Sequence, residues 1–546
     1  MRTWMRAIDF GGSFHAKNGT IWVLLGILLL AFAMRVCPLG DLTRGSLDFP
    51  EARIMANSAQ SFSRIAGEIP PDQAPMKYFA LRPLLYLGRS EFLLRLPALV
   101  FDLASILLLF YLGSLLFDRK AALLACFFMA VSVWHIHYGS SARNYPLYIF
   151  SLLGSTIFLY RAVRLPGIRE WLFYSVALAF SYYSFYWGFF FSAAQLCWFF
   201  ICYGRRADLV KRFLISLGLF LVMMIPWAGR LKGALDYKME QDPWNWEVQC
   251  QMIWVFLRDH FGGMVGPVPF GVIVFVLGFI WVYYFQKKRP QALLLLALVV
   301  IPSFLCIFCQ YVFRTNIAPR YFLLAYPFFL LMAAAGIMSW RHWAVRVAGV
   351  LVFMLPLLLY TLSKIGVADR GLIPVDYLRH CEDHSAVASV IEKNYDALDF
   401  VVVEPPLTIL PIQYYLDRGN QSPVMELDKG ESGEKRFMYA NSRITLFGLN
   451  GELPTLKKLA AAGRLLVVDL GQIAHEENRD EIFSWLENNA YKIERDYRGH
   501  GEDLYFISPP RKVSGDYKSS SAKELQSFLS EAHVLRRLTY PFNREE

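Results

Sequence analysis

The sequence predicts a polytopic α-helical membrane protein that ends in a soluble α/β domain. Hydrophobic residues make up 55% of the 546-residue chain and charged residues only 18%, a composition too apolar for an ordinary soluble protein. Apolar runs long enough to cross a bilayer recur as far as residue 362, and every link expected on the inner side is basic. After residue 362, short β-branched runs alternate with helical segments, which indicates an α/β domain.

The apolar runs predict about eleven membrane spans. They cover residues 21–37, 96–117, 121–138, 145–163, 171–186, 188–203, 213–229, 268–286, 291–312, 321–339 and 343–362. The first run has the length of a signal peptide too, but no convincing small-residue cleavage site follows it, so we interpret it as a span. The basic inner links place the first outer loop, residues 38–95, and the C-terminal region outside the cytoplasm.

We expect two domains, a transmembrane domain over residues 1–362 and an extracytoplasmic α/β domain over residues 363–546. Strands are predicted at residues 400–403, 444–447, 465–468 and 504–507, and helices at residues 376–394, 454–462 and 477–489. This alternation favours a small parallel-sheet sandwich. A capping box at Ser521 and Glu524 predicts a last helix. Its apolar face would hold Leu525, Phe528, Leu529, Ala532 and Leu535.

The first outer loop is the stretch best suited to chemistry. Acidic and basic side chains cluster there directly beyond the first span, and Asp48 and Glu51 stand close together in DFPE. Apolar residues at helical spacing over residues 55–66 favour a helix lying in the membrane interface. An ordinary connecting loop with solvated charges is the alternative that the loop alone leaves open.

Two more polar clusters are expected at the outer face. The first, WHIHYGSSARNYPLYIF, follows the third span and contains His137, Tyr138, Arg143 and Tyr145. Aromatic residues at such places are usually interface anchors, and Arg143 either reaches lipid headgroups or binds an anion through both arms of its guanidinium. The second, RTNIAPRYFLLAYP, places Arg320 and Tyr321 at the outer start of the tenth span.

Asp102 interrupts the second predicted span. Because an acidic side chain at membrane depth is costly, Asp102 is either a functional residue or a protonated or helix-paired acid.

The sequence excludes several other kinds of site. The formal charge of +10 arises largely from links that set membrane orientation, and no nucleic-acid-binding motif accompanies it. His135 and His137 lie on different sides of a helix with no third ligand, and the Cys306–Cys309 pair lies inside a span with no second pair. A GxGxxG or Walker pattern is absent from the sequence. We therefore expect no metal, cofactor or nucleic acid.

Six ordered segments of the chain resemble one family. They are RGSLDFPEAR, SEFLLRLPALVFDL, HIHYGSSARNY, SYYSFYWGFF, the IPW of residues 225–227, and PRYFLLAYP. Together they are similar to the membrane glycosyltransferases of the GT-C class that use polyprenyl-phosphate sugars, a group with protein O-mannosyltransferases and the lipid A aminoarabinose transferases. The resemblance implies a GT-C helical bundle with a catalytic first outer loop and, often, a following periplasmic α/β domain.

The resemblance also implies a reaction. An acceptor hydroxyl displaces polyprenyl phosphate from sugar C1 with inversion, as in a hexosyl- or pentosyltransferase that needs no metal. The catalytic base would be Asp48 or Glu51, with Asp48 slightly favoured. The residues implied to bind the donor phosphate are Lys77, Arg143 and Arg320. The residues implied to line the substrate pocket are His137, Tyr138, Tyr145 and Tyr321.

Three positions depart from the family pattern. Pro50 stands where the resemblance implies an Asp beside Glu51, so the identity of the base stays open. Ser141 replaces an acidic residue, and Phe185 replaces a histidine.

The expected partners are a polyprenyl-phosphate sugar donor, a lipid, glycan or protein acceptor, and membrane lipids. The expected location is a bacterial inner membrane, with the active site on the outer side. Two alternatives remain: a lipid-carrier flippase or transporter, and a catalytically inactive GT-C relative that binds a partner. A flippase would favour broken spans with an internal repeat, and no clear repeat is present.

Overall fold

A computed structural model describes most of the chain. The described residues are 14–36, 46–69, 73–239, 270–313, 321, 324–340, 342–351, 384–398, 400–404, 408–416, 424–427, 436–440, 445–448, 464–469, 484, 488–489, 492–498, 503–508 and 534–538. The chain divides into two compact units. The helical unit comprises Met1–Leu42, Glu68–Lys77 and Arg95–Asp376, and the α/β unit comprises Thr43–Gly67, Tyr78–Leu94 and Tyr377–Glu546.

The helices are numbered here in chain order. They are α1 (Phe14–Val36), α2 (Phe49–Ser58), α3 (Phe62–Glu68), α4 (Met76–Leu81), α5 (Glu91–Leu116), α6 (Arg119–Val131), α7 (Val133–Gly139), α8 (Tyr145–Ala162), α9 (Arg169–Ser184), α10 (Gly188–Tyr203), α11 (Ala207–Met224), α12 (Ala228–Met239), α13 (Phe270–Ile280), α14 (Arg289–Phe313), α15 (Tyr326–Ser339), α16 (His384–Lys393) and α17 (Ile409–Leu416). Residues 343–351 are also helical. Short 3-10 or π segments follow at Leu84–Tyr86, Ile225–Trp227, Trp281–Phe285 and Tyr395–Ala397.

Within the described residues, four helices are long and apolar enough to cross a membrane. They cover Gly19–Val36, Glu91–Leu116, Ala207–Ala234 and Arg289–Cys309. Every predicted apolar run between residues 21 and 339 contains a helix, so a mostly helical membrane protein is confirmed. The count of about eleven spans stays a prediction.

Glycines allow close helix contacts in the helical unit. A Cβ atom added to Gly336 of α15 would lie 2.9 Å from the Cα of Gly278 in α13, so the two helices cross at a pair of glycines. A Cβ atom added to Gly113 of α5 would lie 2.8 Å from the Cβ of Ala122 in α6. Small residues at crossings are typical of membrane helices, because association there depends on close van der Waals packing.

An ion pair joins α8 to α9. The guanidinium of Arg161 donates to both carboxylate oxygens of Glu170, at 3.0 and 2.8 Å, and to the Tyr111 hydroxyl at 2.6 Å. Arg161 therefore fixes α5, α8 and α9 together at one place.

The α/β unit is built on one eight-stranded sheet. Its strands are β1 (Phe400–Glu404), β2 (Val424–Leu427), β3 (Arg436–Ala440), β4 (Thr445–Gly448), β5 (Leu465–Asp469), β6 (Lys492–Arg498), β7 (Asp503–Ser508) and β8 (Val534–Leu538), in the order β6-β7-β5-β1-β4-β3-β2-β8. Only β4, β1 and β5 run parallel, with Val401 between Leu446 and Leu466. The flanking pairs are antiparallel.

The structure confirms the four predicted strands but not an all-parallel sheet. Four further strands, β2, β3, β6 and β8, were not predicted. Charged residues interrupt β6 and β8, so neither strand has the apolar run by which strands were predicted. Both strands lie at the edges of the sheet, where charged side chains protect the open edge from pairing with other strands. Leu535 lies in β8, so its assignment to the last helix was wrong. The remainder of that predicted helix lies outside the described residues, as do residues 454–462.

The outer loop differs from its prediction. The single helix expected over residues 55–66 is wrong, because α2 ends at Ser58 and the Ser61 hydroxyl accepts from the Arg64 amide in the first turn of α3. Met55 is buried while Phe62 is about half exposed, so the apolar residues do not share one membrane-facing side. The domain boundary at residue 362 stays a prediction, since residues 352–383 lie outside the described residues.

Candidate active site

Asp48 and Glu51 form a capping box at the start of α2. The Asp48 carboxylate accepts from the Glu51 amide at 2.8 Å, and the Glu51 carboxylate accepts from the Asp48 amide at 3.4 Å. Pro50 lies in the first turn, where its missing amide hydrogen costs nothing. Asp48 is half-buried and Glu51 is 2% exposed. The two predicted base candidates are thus brought together, and both contribute to the local fold.

The predicted pocket residues meet in the helical unit. The ring of Tyr138 lies 4.8 Å from those of both His137 and Tyr145. Phe185 extends the contacts, with ring centroids 5.8 Å from Tyr145 and 5.4 Å from Tyr321. We call these five residues the aromatic chain. The structure therefore brings together all four predicted pocket residues, with Phe185 as the connecting ring.

The residues that follow α7 stabilise the end of this helix, which carries His137 and Tyr138. Ser140 and Ser141 both donate a hydroxyl to the His137 carbonyl, at 3.0 and 2.9 Å, and so occupy the end of the helix. The Asn144 side chain donates to the Ser184 carbonyl at the end of α9, at 3.3 Å. Ser141, the position where the resemblance implies an acid, thus contributes a helix-ending hydroxyl.

The three residues predicted to bind the donor phosphate lie in different parts of the chain. Arg143 is half-buried in the link between α7 and α8, two residues before Tyr145, and its amide donates to the Ser141 carbonyl at 2.7 Å. Lys77 belongs to the first turn of α4, and its Nζ lies 2.5 Å from the Gln73 side-chain oxygen. Arg320 lies outside the described residues. Of the two that the structure describes, Arg143 is the nearer in sequence to a member of the aromatic chain.

Two motif segments, SYYSFYWGFF and IPW, meet the helical unit's stretch that contains Ile69 and Gln73. The Tyr186 hydroxyl donates to the Gln73 carbonyl at 3.1 Å and accepts from the Trp227 indole at 2.7 Å. Arg230 donates to the Ile69 carbonyl at 2.7 Å and lies over the Trp227 ring. Sequence reasoning missed Tyr186 and Arg230, although the motifs SYYSFYWGFF and IPW marked their neighbourhood.

A buried ionic cluster links three helices of the helical unit. Arg35 of α1 donates from Nε to Asp102 of α5 at 2.7 Å and from Nη1 to the Ala130 carbonyl at 2.7 Å. The His135 Nδ1 of α7 lies 3.4 Å from the other Asp102 oxygen. All three charged or polar side chains are buried. Asp102 is therefore a helix-paired acid, one of the readings that the sequence left open.

Gly139 makes room for this ionic cluster. A Cβ atom at Gly139 would lie 2.9 Å from the Asp102 carboxyl carbon and 3.1 Å from Arg35 Nε. Because α7 carries both His135 and His137, the ionic cluster fixes the helix from which the aromatic chain begins.

Within the part of the chain that the structure describes, no group of three or more His, Cys, Asp or Glu side chains is placed to hold a metal ion.

Comparisons with known proteins agree with the motifs. Residues 72–229 match the sequence model of the family described as dolichyl-phosphate-mannose-protein mannosyltransferase. No curated protein matches the chain. The crystal structure of ArnT from Cupriavidus metallidurans in the apo state is similar over 90% of this chain and 98% of its own, with a TM-score of 0.58 and 12% identity.

Two further structures are less similar. ArnT from Cupriavidus metallidurans bound to undecaprenyl phosphate gives a TM-score of 0.49 at 12% identity, covering 92% of this chain and 99% of its own. Oligosaccharyltransferase AglB from Archaeoglobus fulgidus, in complex with an inhibitory peptide and a dolichol-phosphate, gives 0.49 at 11% identity, covering 91% and 75%. The fold shared with apo ArnT and the family match confirm the resemblance to GT-C glycosyltransferases.

Proposed function

We propose that this protein is a membrane glycosyltransferase that moves a sugar from a polyprenyl-phosphate carrier to a hydroxyl acceptor. The observation that carries the proposal is the position of the family match. Residues 72–229 contain Lys77, Arg143 and most of the aromatic chain, and the match lies within a chain that shares its fold with apo ArnT. A polar reaction on a lipid-linked donor also explains why these side chains belong to a unit that contains the candidate membrane spans.

The proposed chemistry is a single displacement. A carboxylate from Asp48 or Glu51 takes the acceptor proton while the acceptor oxygen attacks sugar C1, which typically contributes about 10²- to 10⁴-fold to the rate. The bond between C1 and the phosphate oxygen breaks, and polyprenyl phosphate leaves with the bonding electrons. Arg143, Lys77 and Arg320 bind the charge that develops on the phosphate. The aromatic residues His137, Tyr138, Tyr145 and Tyr321 line the substrate pocket.

The active site is proposed to face the outer side of the membrane. About eleven spans would place the first outer loop and the α/β domain of residues 363–546 outside the cytoplasm of a bacterial cell, because the inner links are basic. The proposed sugar is a hexose or a pentose, and the proposed acceptor hydroxyl belongs to a lipid, a glycan or a protein.

One observation favours the alternative of a catalytically inactive relative. Both candidate bases take part in a capping box, an arrangement that stabilises a helix without any chemistry. The two accounts differ in a measurable way, because capping requires hydrogen-bond acceptors but proton transfer requires an ionised carboxylate.

The test is turnover by the purified protein. Polyprenyl phosphates carrying single hexoses or pentoses are supplied with membrane extract as a source of acceptor, and release of free polyprenyl phosphate is measured. We expect release with at least one donor, and strong loss of it in Arg143→Ala. The matched control is Arg205→Ala, which changes an exposed residue two positions beyond the end of α10 and should remain active. Absence of release with every donor would overturn the proposal.

A further inference from the structure

The loop that carries Asp48 and Glu51 is built into the α/β unit. Ala52, directly after Glu51, is 1% exposed and belongs to the same hydrophobic core as Val401 of β1 and Ile409 of α17. Protein cores are packed about as densely as crystals of small molecules. Because Ala52 lies inside this core, α2 cannot shift without disturbing its neighbours. The backbone that bears the candidate bases is therefore part of a folded core within this unit.

Hydrogen bonds fix the residues just before Asp48. The Leu47 amide donates to the Tyr415 hydroxyl at 2.9 Å, and the Ser385 amide donates to the Ser46 hydroxyl at 3.2 Å. The partners are 368 and 339 residues apart in sequence. Both contacts join the Asp48 segment to α16 or α17.

The neighbouring tyrosine holds the other arm of the loop. The Tyr414 hydroxyl donates to the Arg89 carbonyl, two residues before α5. Consecutive residues of a helix point about 100° apart, so α17 reaches both arms of the loop from one short segment. Arg82 strengthens the loop internally by donating to the Ala59 carbonyl at 2.5 Å.

We infer that Tyr414 and Tyr415 are positioning residues, which hold the Asp48 carboxylate in place for the reaction, and this inference rests on the proposed function. Their hydroxyls bond main-chain groups of the loop, so each sets the path of the backbone. A catalytic carboxylate displaced by about 1 Å loses on the order of 10²-fold in rate, so such anchors affect turnover directly. The α/β unit thereby supplies residues that position the base rather than react themselves.

The experiment compares Tyr415→Phe with Ser389→Ala. Tyr415→Phe removes one hydroxyl and keeps the ring, while Ser389 of α16 is exposed and donates to the Ser385 carbonyl of its own helix. We expect Tyr415→Phe to lower the rate at saturating donor by about tenfold or more. Affinity for undecaprenyl phosphate should change by less than twofold. Ser389→Ala should match the native protein in both measurements, and Tyr414→Phe should resemble Tyr415→Phe.

Two further measurements separate positioning from general stability. Hydrogen exchange of residues 46–48 should speed up in Tyr415→Phe while exchange in β1 and β5 stays unchanged. In an Asp48→Asn and Glu51→Gln background, Tyr415→Phe should cause no further loss of turnover, since a positioning residue acts only through the group it holds.

The outcomes are distinguishable. A native rate in Tyr415→Phe, or an additive loss in the carboxylate-free background, would overturn the positioning role while leaving the proposed function standing. A native protein without transferase activity would overturn the proposed function, and the positioning role with it. Hydrogen exchange would then still report whether the tyrosine holds the loop.

Discussion

At the residue scale, Asp48 and Glu51 combine two roles that a substitution can separate. Asparagine caps helices about as well as aspartate, because its side-chain oxygen still accepts the amide hydrogen bond. The asparagine amide, however, cannot take the proton of the acceptor hydroxyl during the reaction. The choice of substitution at position 48 therefore decides whether capping or chemistry is measured.

We expect Asp48→Asn to lower turnover by about 10²- to 10⁴-fold while leaving thermal unfolding nearly unchanged. Asp48→Ala should lose turnover and also about 1 kcal/mol of stability, since the Glu51 amide loses its partner. Glu51→Gln should give a smaller loss of turnover. Near-normal turnover in both amide variants and in the double variant would remove these carboxylates from the chemistry.

Arg143 supports a second prediction at this scale. Replacement by Ala should weaken undecaprenyl phosphate binding and lower turnover, because the phosphate loses a bidentate partner. Lys should recover only part of the function, since a point charge cannot reproduce the planar fork. Equilibrium binding and turnover measure both effects. Unchanged donor affinity in Arg143→Ala would return this arginine to the role of a headgroup anchor.

At the scale of the element, the ionic cluster fixes α1, α5 and α7 together. Asp102→Asn leaves Arg35 buried without its counter-charge, so we expect a loss of about 3–5 kcal/mol in unfolding free energy. The matched control is Glu170→Gln. Its partner Arg161 is 20% exposed, so water can still solvate the guanidinium and the loss of unfolding free energy should be smaller. Thermal unfolding in detergent measures both variants. Equal effects in the two variants would contradict a special role for the buried cluster.

Elements with a regular apolar pattern were predictable from the sequence. The long apolar runs contain helices, and the four β-branched runs are strands. Both were predictable because a segment that is buried along its length carries apolar residues in a regular pattern. The charged strand β6 and the break between α2 and α3 show no such apolar pattern in the sequence. Their structure depends on a neighbouring strand and on the α/β core, which local patterns do not report.

The candidate site was predictable to a similar degree. A motif marked His137, Tyr138 and Tyr145 of the aromatic chain, because these three residues cluster in sequence as well as in space. The contact between Tyr186 and Gln73 spans 113 residues, and that between Arg35 and Asp102 spans 67. Such pairs become visible only when the fold brings them together.

At the scale of the whole molecule, the basic inner links predict one orientation. In a cysteine-free background, single cysteines at Ser63 and Ser389 should react with a membrane-impermeant label in intact cells, because both residues are exposed and assigned outside. A cysteine at Arg205, an exposed residue assigned inside, should stay protected. A protected Ser63 or Ser389 site, or a reactive Arg205 site, would show that the span count is wrong.

The configuration of the product tests the central claim most directly. A single displacement at sugar C1 inverts that carbon, so a donor of known anomeric configuration should give a product of the opposite configuration. Nuclear magnetic resonance of the isolated product reads this from the anomeric proton coupling. We predict inversion with release of one polyprenyl phosphate for each sugar transferred. A product that retains the donor configuration would contradict the displacement by an acceptor hydroxyl that Asp48 or Glu51 activates.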